Sequence, residues 1–436
     1  MIELRTTSSR APLTRNQVRG FWAAWAGWAL DGMDSFIYAL VLVPAMSELL
    51  PRSGIKATAG NVGYYGSVLF ALFLVGWGLS MLWGPLADRF GRIRTLTLTI
   101  LCYSAFTFVS ALATSIWQLA LFRLLAGIGI GGEWSMGGTF VAEEWPDDRR
   151  AKGAGYMHTG YYFGFFLAAI ANALIGTRYG WRMMFAVGGT PALLVGLIRY
   201  GVHEPARWQS RAVAQDRRPT LETMSAAFLA LFSSRYARRT LLNSSYLLVS
   251  IVGLWAGVVY VPASVTQIAV REGYRAADAT RLASYATMIL SIGTILGCVA
   301  LPPLAESLGR RATLALYFVI MFFSIALGFG YAFYLQTHAL AWFMVSLFVL
   351  GVGGANFAMY TLWLPEQYST DCRASAFAFA TSVGRFIGAG ITFLVGAGVA
   401  YFGTIGTPVA LTSIAFLIGV LLTPFGEETK GRPLPS

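Results

Sequence analysis

The sequence predicts an all-α membrane protein of twelve transmembrane helices, arranged as two pseudo-symmetric six-helix bundles. Composition, span-length apolar runs and an internal repeat together predict it. Of 436 residues, 56% are hydrophobic and only 12% charged. Soluble domains carry about 25% charge, so lipid is the solvent this chain suits. A helix needs ~20 mostly apolar residues to cross ~30 Å of hydrocarbon, and the apolar runs approach that length. The ~10-residue alternating segments of a membrane barrel are not found.

Taken in order, the spans fall near 20–47, 61–85, 94–113, 116–142, 152–176 and 181–202, then 240–268, 282–305, 312–335, 339–365, 374–399 and 404–425. The tail 1–19 is polar and basic, with no short apolar core before a small-residue cleavage site, so the first helix is the expected insertion signal. The six-helix bundles are expected at 20–202 and 240–425, joined by a polar linker at 203–239 and followed by a tail at 426–436.

Lys and Arg are distributed unevenly between alternate loops. With the first tail inside, 22 of them fall on the cytoplasmic side and 7 on the other. Both termini are therefore expected in the cytoplasm, with the chain multi-pass in a bacterial inner membrane. The net charge of +12 comes from these short clusters and not from one basic face, which argues against a nucleic-acid partner. Cys102, Cys298 and Cys372 are too scattered for a disulfide framework or metal spacing.

The halves repeat. WGPLADRFGRIR, Trp83 to Arg94, aligns without gaps to LPPLAESLGRRA, Leu301 to Ala312, at a shift of 218 residues. EEWPDDRR, Glu143 to Arg150, recurs as PEQYSTDCR, Pro365 to Arg373. Parallel repeats of this kind imply a solute site between the halves at the membrane midplane. These loops supply the candidate gate: Gly84, Asp88, Arg89, Gly91, Arg92, Arg149, Glu306, Arg310, Glu366 and Arg373. A Gly at a helix end permits close backbone approach, and an Asp can accept hydrogen bonds from a neighbouring helix N-terminus.

Gly84, Asp88, Arg89, Gly91 and Arg92 match the signature loop of the major facilitator superfamily, which the chain resembles over essentially its whole length. The second copy departs from that pattern, with Pro302 for Gly and Glu306 for Asp. RLLAGIGIGGEW (Arg123 to Trp134), HEPARW (His203 to Trp208) and EETKGRPLP (Glu428 to Pro435, with Glu427) resemble the metabolite:proton symporter and sugar-porter branches. DGMD (Asp31 to Asp34) and GRFIG (Gly384 to Gly388) are most similar to the aromatic-acid and sialate proton symporters. The resemblance implies the superfamily fold, alternating access and no enzymatic activity.

Charge inside a span costs at least ~2.5–3.5 kcal/mol, so intramembrane ions mark function. Asp31 and Asp34 lie about 16–21 Å into the first span at ~1.5 Å per residue, and Arg385 lies at similar depth in the eleventh. Three-residue spacing puts the two carboxylates on one helix face, where they should not both stay ionised. Asp31, Asp34 and Glu133 are the candidate proton carriers. Arg385 presents a planar fork suited to a solute carboxylate; a permanent ion pair with Asp31 or Asp34 is the competing reading. Arg123, Tyr161, Tyr162, Asn243, Tyr246, Asn356 and Tyr360 put polar atoms inside apolar runs and join Arg385 as candidate substrate ligands. His158 reads as shallow and internally hydrogen-bonded.

Gly127/Gly131, Gly160/Gly164, Gly293/Gly297 and Gly384/Gly388 are small-residue pairs that let helices approach closely. No phosphate-cradling Gly loop follows a strand, so a gradient and not ATP is the expected driving force. The expected function is proton-coupled symport of a small organic acid, with no cofactor or metal and no requirement beyond a monomer. A neutral sugar, polyol or drug carried by uniport or antiport is the alternative, and a membrane sensor the third reading.

Overall fold

The computed structural model describes residues 12–193, 203–204, 208–209, 220–258 and 260–435. Most of the first tail, the second half of the sixth span and most of the 203–239 linker lie outside them. Among the described residues there is no strand.

The first half comprises α1 (Arg15–Arg52), α2 (Ala59–Leu79), α3 (Trp83–Phe90), α4 (Arg92–Ser110), α5 (Ile116–Glu144), α6 (Arg150–Ala171) and α7 (Thr177–Gly188). A helix in the linker region, α8 (Thr220–Ala230), precedes the second half. That half comprises α9 (Ala237–Val258), α10 (Val261–Arg271), α11 (Ala276–Leu308), α12 (Arg310–Gly330), α13 (Ala339–Gly354), α14 (Asn356–Trp363), α15 (Arg373–Phe402), α16 (Gly406–Leu411) and α17 (Ile414–Leu422). Pairing α2 with α3, α9 with α10, α13 with α14 and α16 with α17 gives twelve membrane passes. Nine segments of the described residues are long and apolar enough to cross a membrane. The passes built on α5, on α7 and on α9 with α10 complete the set, the apolar run of α5 being interrupted by Arg123 and Glu133.

Local chemistry sets the helix ends. Thr14 and Gln17 form a reciprocal capping box at the start of α1. Gly91 and Gly309, equivalent in the repeat, carry φ of 111° and 90°, a backbone region that favours glycine. Each lets one helix stop and the next begin at once. Each following helix is capped by a carboxylate from elsewhere in the chain. Glu204 accepts from the N–H groups of Arg92, Ile93 and Arg94 at 2.7, 3.0 and 3.1 Å. Glu428 accepts from those of Arg310 and Arg311 at 3.0 and 3.3 Å. HEPARW and EETKGRPLP are thus the two halves' versions of one helix-capping device.

Large apolar side chains such as Trp22, Leu98, Phe323, Phe393 and Leu394 point outward, which suits a lipid environment and not water. Inside, α1 packs on α6 with backbones in close approach: a Cβ on Gly160 or Gly164 would collide with the carbonyls of Trp25 and Ala29. The halves meet where α2 and α3 pack on α15 and where α6 packs on α11. The site lies along these seams.

Candidate functional site

At the centre, both halves contribute to a small aromatic chamber. It is lined by Trp28 of α1, Trp77 of α2, Trp134 of α5, His158, Tyr161 and Tyr162 of α6, Phe357 of α14 and Arg385 of α15. Its free space is about 10 Å³, one water-sized volume, so admitting a solute requires these side chains to part. Trp28 stacks on Tyr161 with ring centroids 4.6 Å apart and on Trp134 at 5.5 Å. The Arg385 guanidinium lies over the Trp77 ring, 3.9 Å from its centroid, and farther from Trp134 at 5.9 Å. Quadrupole attraction holds a cation there without an ion pair. Arg385 donates one hydrogen bond to the carbonyl of Thr381, while its Nε has no partner among the described residues.

Three carboxylates and Arg123 lie behind the chamber, all wholly buried. Asp31 faces Glu133 across the α1–α5 seam, and the two carboxyls are within hydrogen-bonding reach of each other. Glu133 occupies the space above Gly27, one turn before Asp31, where a Cβ would strike its carboxylate. No N–H or O–H donor of the described residues reaches either group. A carboxyl pair without donors makes a hydrogen bond only if it holds a proton. Asp31 is also an electrostatic neighbour of Arg385. Asp34 turns the other way and pairs with Arg123 at 3.1 Å. Arg123 donates to Thr107 Oγ1 at 3.0 Å and lies over the Phe73 and Phe185 rings.

Several sequence expectations change here. Asp31 and Asp34 have different partners on α5, Glu133 and Arg123. Arg123, expected as a substrate ligand, is committed to Asp34 in the first-half core. Tyr161 and Tyr162 line the chamber, but Asn243, Tyr246 and Tyr360 are occupied within the second half. Asn243 exchanges hydrogen bonds with Gln367 at 3.1 and 3.2 Å; Tyr246 donates to the Leu422 carbonyl at 2.8 Å; Tyr360 meets Ser250 at 2.7 Å. Asn356 donates to Gly353, and its Oδ1 is unpartnered among the described residues. His158 lines the chamber, and neither ring nitrogen has a partner among the described residues, so it is not internally hydrogen-bonded. Sequence reading also missed Trp28, Trp77, Trp134 and Phe357. A usable signal existed for the tryptophans, which sit well inside spans, whereas membrane tryptophans concentrate at the interfaces.

A second constellation closes the face that carries the repeat loops, called here the signature face. Glu143 accepts from Arg92 at 3.1 and 3.2 Å and, across the seam, from Arg373 at 2.9 Å. Its repeat equivalent Glu366 accepts from Arg310 at 2.9 and 3.0 Å and lies 3.8 Å from Arg150 of the first half. Each carboxylate thus joins its own half's loop arginine to an arginine of the other half. Asp88 adds a third crossing, accepting from Ser375 N at 2.9 Å and Ser375 Oγ at 2.6 Å. Gly84 permits the approach, because a Cβ there would press on Ser375 and Ala378. The first-half arginine that reaches Glu366 is Arg150, and Arg149, the residue expected there, lies 3.7 Å from Asp148. Glu306 stays in its own half, on Arg310 at 3.0 Å, and Arg89 Nε has no partner among the described residues.

Helices alone, a two-half repeat and a site at the seam define a membrane carrier. The profile of the Major Facilitator Superfamily matches residues 24–392, and the chain belongs to that family, within its metabolite-transporter branch. It is 31% identical over 424 residues to the probable 4-methylmuconolactone transporter of Cupriavidus pinatubonensis, covering 95% of this chain and 91% of that protein. It is 26% identical to the niacin transporter NiaP of Acinetobacter baylyi, covering 100% and 99%. Among solved structures, the proton:xylose symporter XylE superposes with a TM-score of 0.74 at 20% identity, covering 96% and 98%. That likeness speaks to the fold alone. The chain is accordingly a multi-pass integral membrane protein of a transporter family.

Proposed function

We propose that this chain is a proton-coupled symporter of a small organic monocarboxylate, working by alternating access. The observation that carries the proposal is the placement of Arg385 in an aromatic chamber beside the Asp31–Glu133 carboxyl pair. A guanidinium in close ion pair with no carboxylate of the described residues can take a solute carboxylate in two parallel hydrogen bonds. The stacked rings of Trp28, Trp134 and Tyr161 offer flat apolar walls to the rest of the solute. The relatives named as transporters of 4-methylmuconolactone and niacin favour a small organic acid as cargo.

Coupling follows from charge. A proton arriving on the Asp31–Glu133 pair removes negative charge that competes for Arg385, so the guanidinium becomes available to the anion. One anion enters with one proton, and the transfer is electroneutral. The Glu143 and Glu366 lattices and the Asp88–Ser375 contact hold the signature face shut and must break for release there. On this reading the basic loops favour a cytoplasmic orientation for that face and for both termini, in a bacterial inner membrane, with a single copy carrying the solute. The bundles at 20–202 and 240–425 move relative to each other.

The neutral-sugar alternative rested on HEPARW and EETKGRPLP. Glu204 and Glu428 of these motifs act as helix caps and do not line the chamber, so they carry no information about cargo. The deciding test is uptake into proteoliposomes of labelled niacin, benzoate, sialic acid and lactate, with and without an inward proton gradient. Gradient-driven accumulation of one acid is expected. Accumulation of xylose and of no acid would overturn the reading.

A further inference from the structure

We propose that a basic pocket at the signature face of the second half binds the phosphate of an anionic phospholipid headgroup. This inference is independent of the transport reading. The pocket has a volume of about 470 Å³ and lies between the start of α9, the end of α14 and the segment that follows α17. Three guanidiniums line it, those of Arg235, Arg238 and Arg239, against one acid, Glu427.

Only part of that positive charge is used internally. Arg239 donates to the Gln367 carbonyl at 2.9 Å and pairs with Glu427 at 2.6 Å. Glu427 is shared with Arg432 at 2.8 Å. Arg238 makes one long hydrogen bond to the Phe425 carbonyl, at 3.4 Å. Arg235 makes no ion pair or hydrogen bond among the described residues; its guanidinium lies over the Tyr236 ring, 5.1 Å from the centroid. The pocket therefore gathers more cation than its single acid can neutralise, and an anion is the matching ligand.

The surroundings choose the source of the anion. Phe425, which lines the pocket, is 60% exposed, and Leu241 and Leu421, next to the lining Leu242 and three residues before the lining Pro424 in the chain, are 69% and 71% exposed. These are outward-facing apolar residues next to helix ends, where acyl chains meet headgroups. A soluble phosphate would gain from the arginines but not from this rim. Positive-inside anchoring alone would not need arginines gathered around one concavity; basic pockets between membrane helices are an established way to hold anionic headgroups.

The test uses the full-length protein, delipidated in detergent. Native mass spectrometry would titrate dioleoyl phosphatidylglycerol against dioleoyl phosphatidylcholine, which share acyl chains, and inorganic phosphate would form a third arm read by thermal shift. Phosphatidylglycerol is expected to bind preferentially, and R235Q/R238Q should weaken it about tenfold or more. R178Q/R281Q, with the same charge loss on the opposite face, should leave it unchanged. R235Q alone removes no ion pair or hydrogen bond of the described residues, so it reports on binding if the double variant folds poorly. Equal phosphatidylglycerol binding by wild type and R235Q/R238Q would overturn the inference. So would stabilisation by inorganic phosphate that matches that of phosphatidylglycerol.

Discussion

Asp31 on α1 and Glu133 on α5 face each other as two wholly buried carboxyls, within hydrogen-bonding reach and with no donor of the described residues on either. Two carboxyls so placed repel when both are ionised and can hydrogen-bond when one carries a proton, which makes the pair the proposed coupling element. Glu133→Gln supplies a permanent donor in the same shape. We expect it to cut proton-driven accumulation at least about tenfold while sparing counterflow exchange. Proteoliposomes assayed in both modes decide it, and full accumulation in the variant would remove Glu133 from coupling.

Arg385 is expected to hold the solute anion. Arg385→Gln removes a charged hydrogen-bond donor worth about 1.5–3 kcal/mol, so affinity should fall roughly ten- to a hundredfold. Arg385→Lys keeps the charge but loses the planar fork and should fall between the two. Calorimetric titration with the transported acid measures both, and unchanged affinity in Arg385→Gln would exclude the role.

Asp34 is expected to act on stability. Asp34→Asn leaves the Arg123 guanidinium buried without its 3.1 Å partner, a change of the kind that costs about 3–5 kcal/mol. The double variant Asp34→Asn/Arg123→Gln removes both charges and should recover much of the loss. Unfolding in mixed detergent tests this. A double variant no better than the single one would show that the pair is not the reason.

Glu143 joins Arg92 to Arg373 across the seam, and Cys372 lies buried beside it at 1% exposure. With Cys102 and Cys298 replaced by Ala, Glu143→Gln should speed maleimide labelling of Cys372 about threefold or more, because the signature face opens more often. An unaltered rate would mean that Glu143 does not hold that face shut.

Glu428 predicts a pH effect at the start of α12. Burial pushes its carboxyl up, but the N–H groups of Arg310, Lys430 and Arg311 outweigh burial and hold it below the ordinary range. A depressed carboxyl stabilises the fold above its unfolded value, about 4.3, and the benefit fades as pH falls through the lower folded value. Thermal stability measured downward from pH 6 should therefore drop less steeply in Glu428→Gln than in wild type.

Legibility in the sequence divided along physical lines. The 218-residue repeat placed Gly91 and Gly309, and Arg92 and Arg310, as counterparts, and the recurring EEWPDDRR/PEQYSTDCR segment did the same for Glu143 and Glu366. The structure gives each pair the same geometry, because both members obey one local rule. The sequence singled out Arg149, whereas Arg150, one position on, reaches Glu366, since two adjacent arginines look alike until a helix face is known. The roles of HEPARW and EETKGRPLP were not legible, because a cap formed by a residue over a hundred positions away leaves no local pattern.

Apolar content, span length and the repeat by themselves determined a membrane protein of two six-helix halves, because the hydrophobic effect and helix geometry act on neighbouring residues. Only the tertiary structure decided the partners of the buried charges. Asp31 and Asp34 are three residues apart on α1, but α5 runs past them with Glu133 and Arg123 ten residues apart. Antiparallel packing brings Asp31, nearer the start of α1, to an acid and Asp34, three residues further in, to a cation. The aromatic chamber has the same origin, drawing Trp28, Trp77, Trp134, His158 and Phe357 from five helices. Burial makes each of these contacts strong, and burial is a property of the assembled bundle.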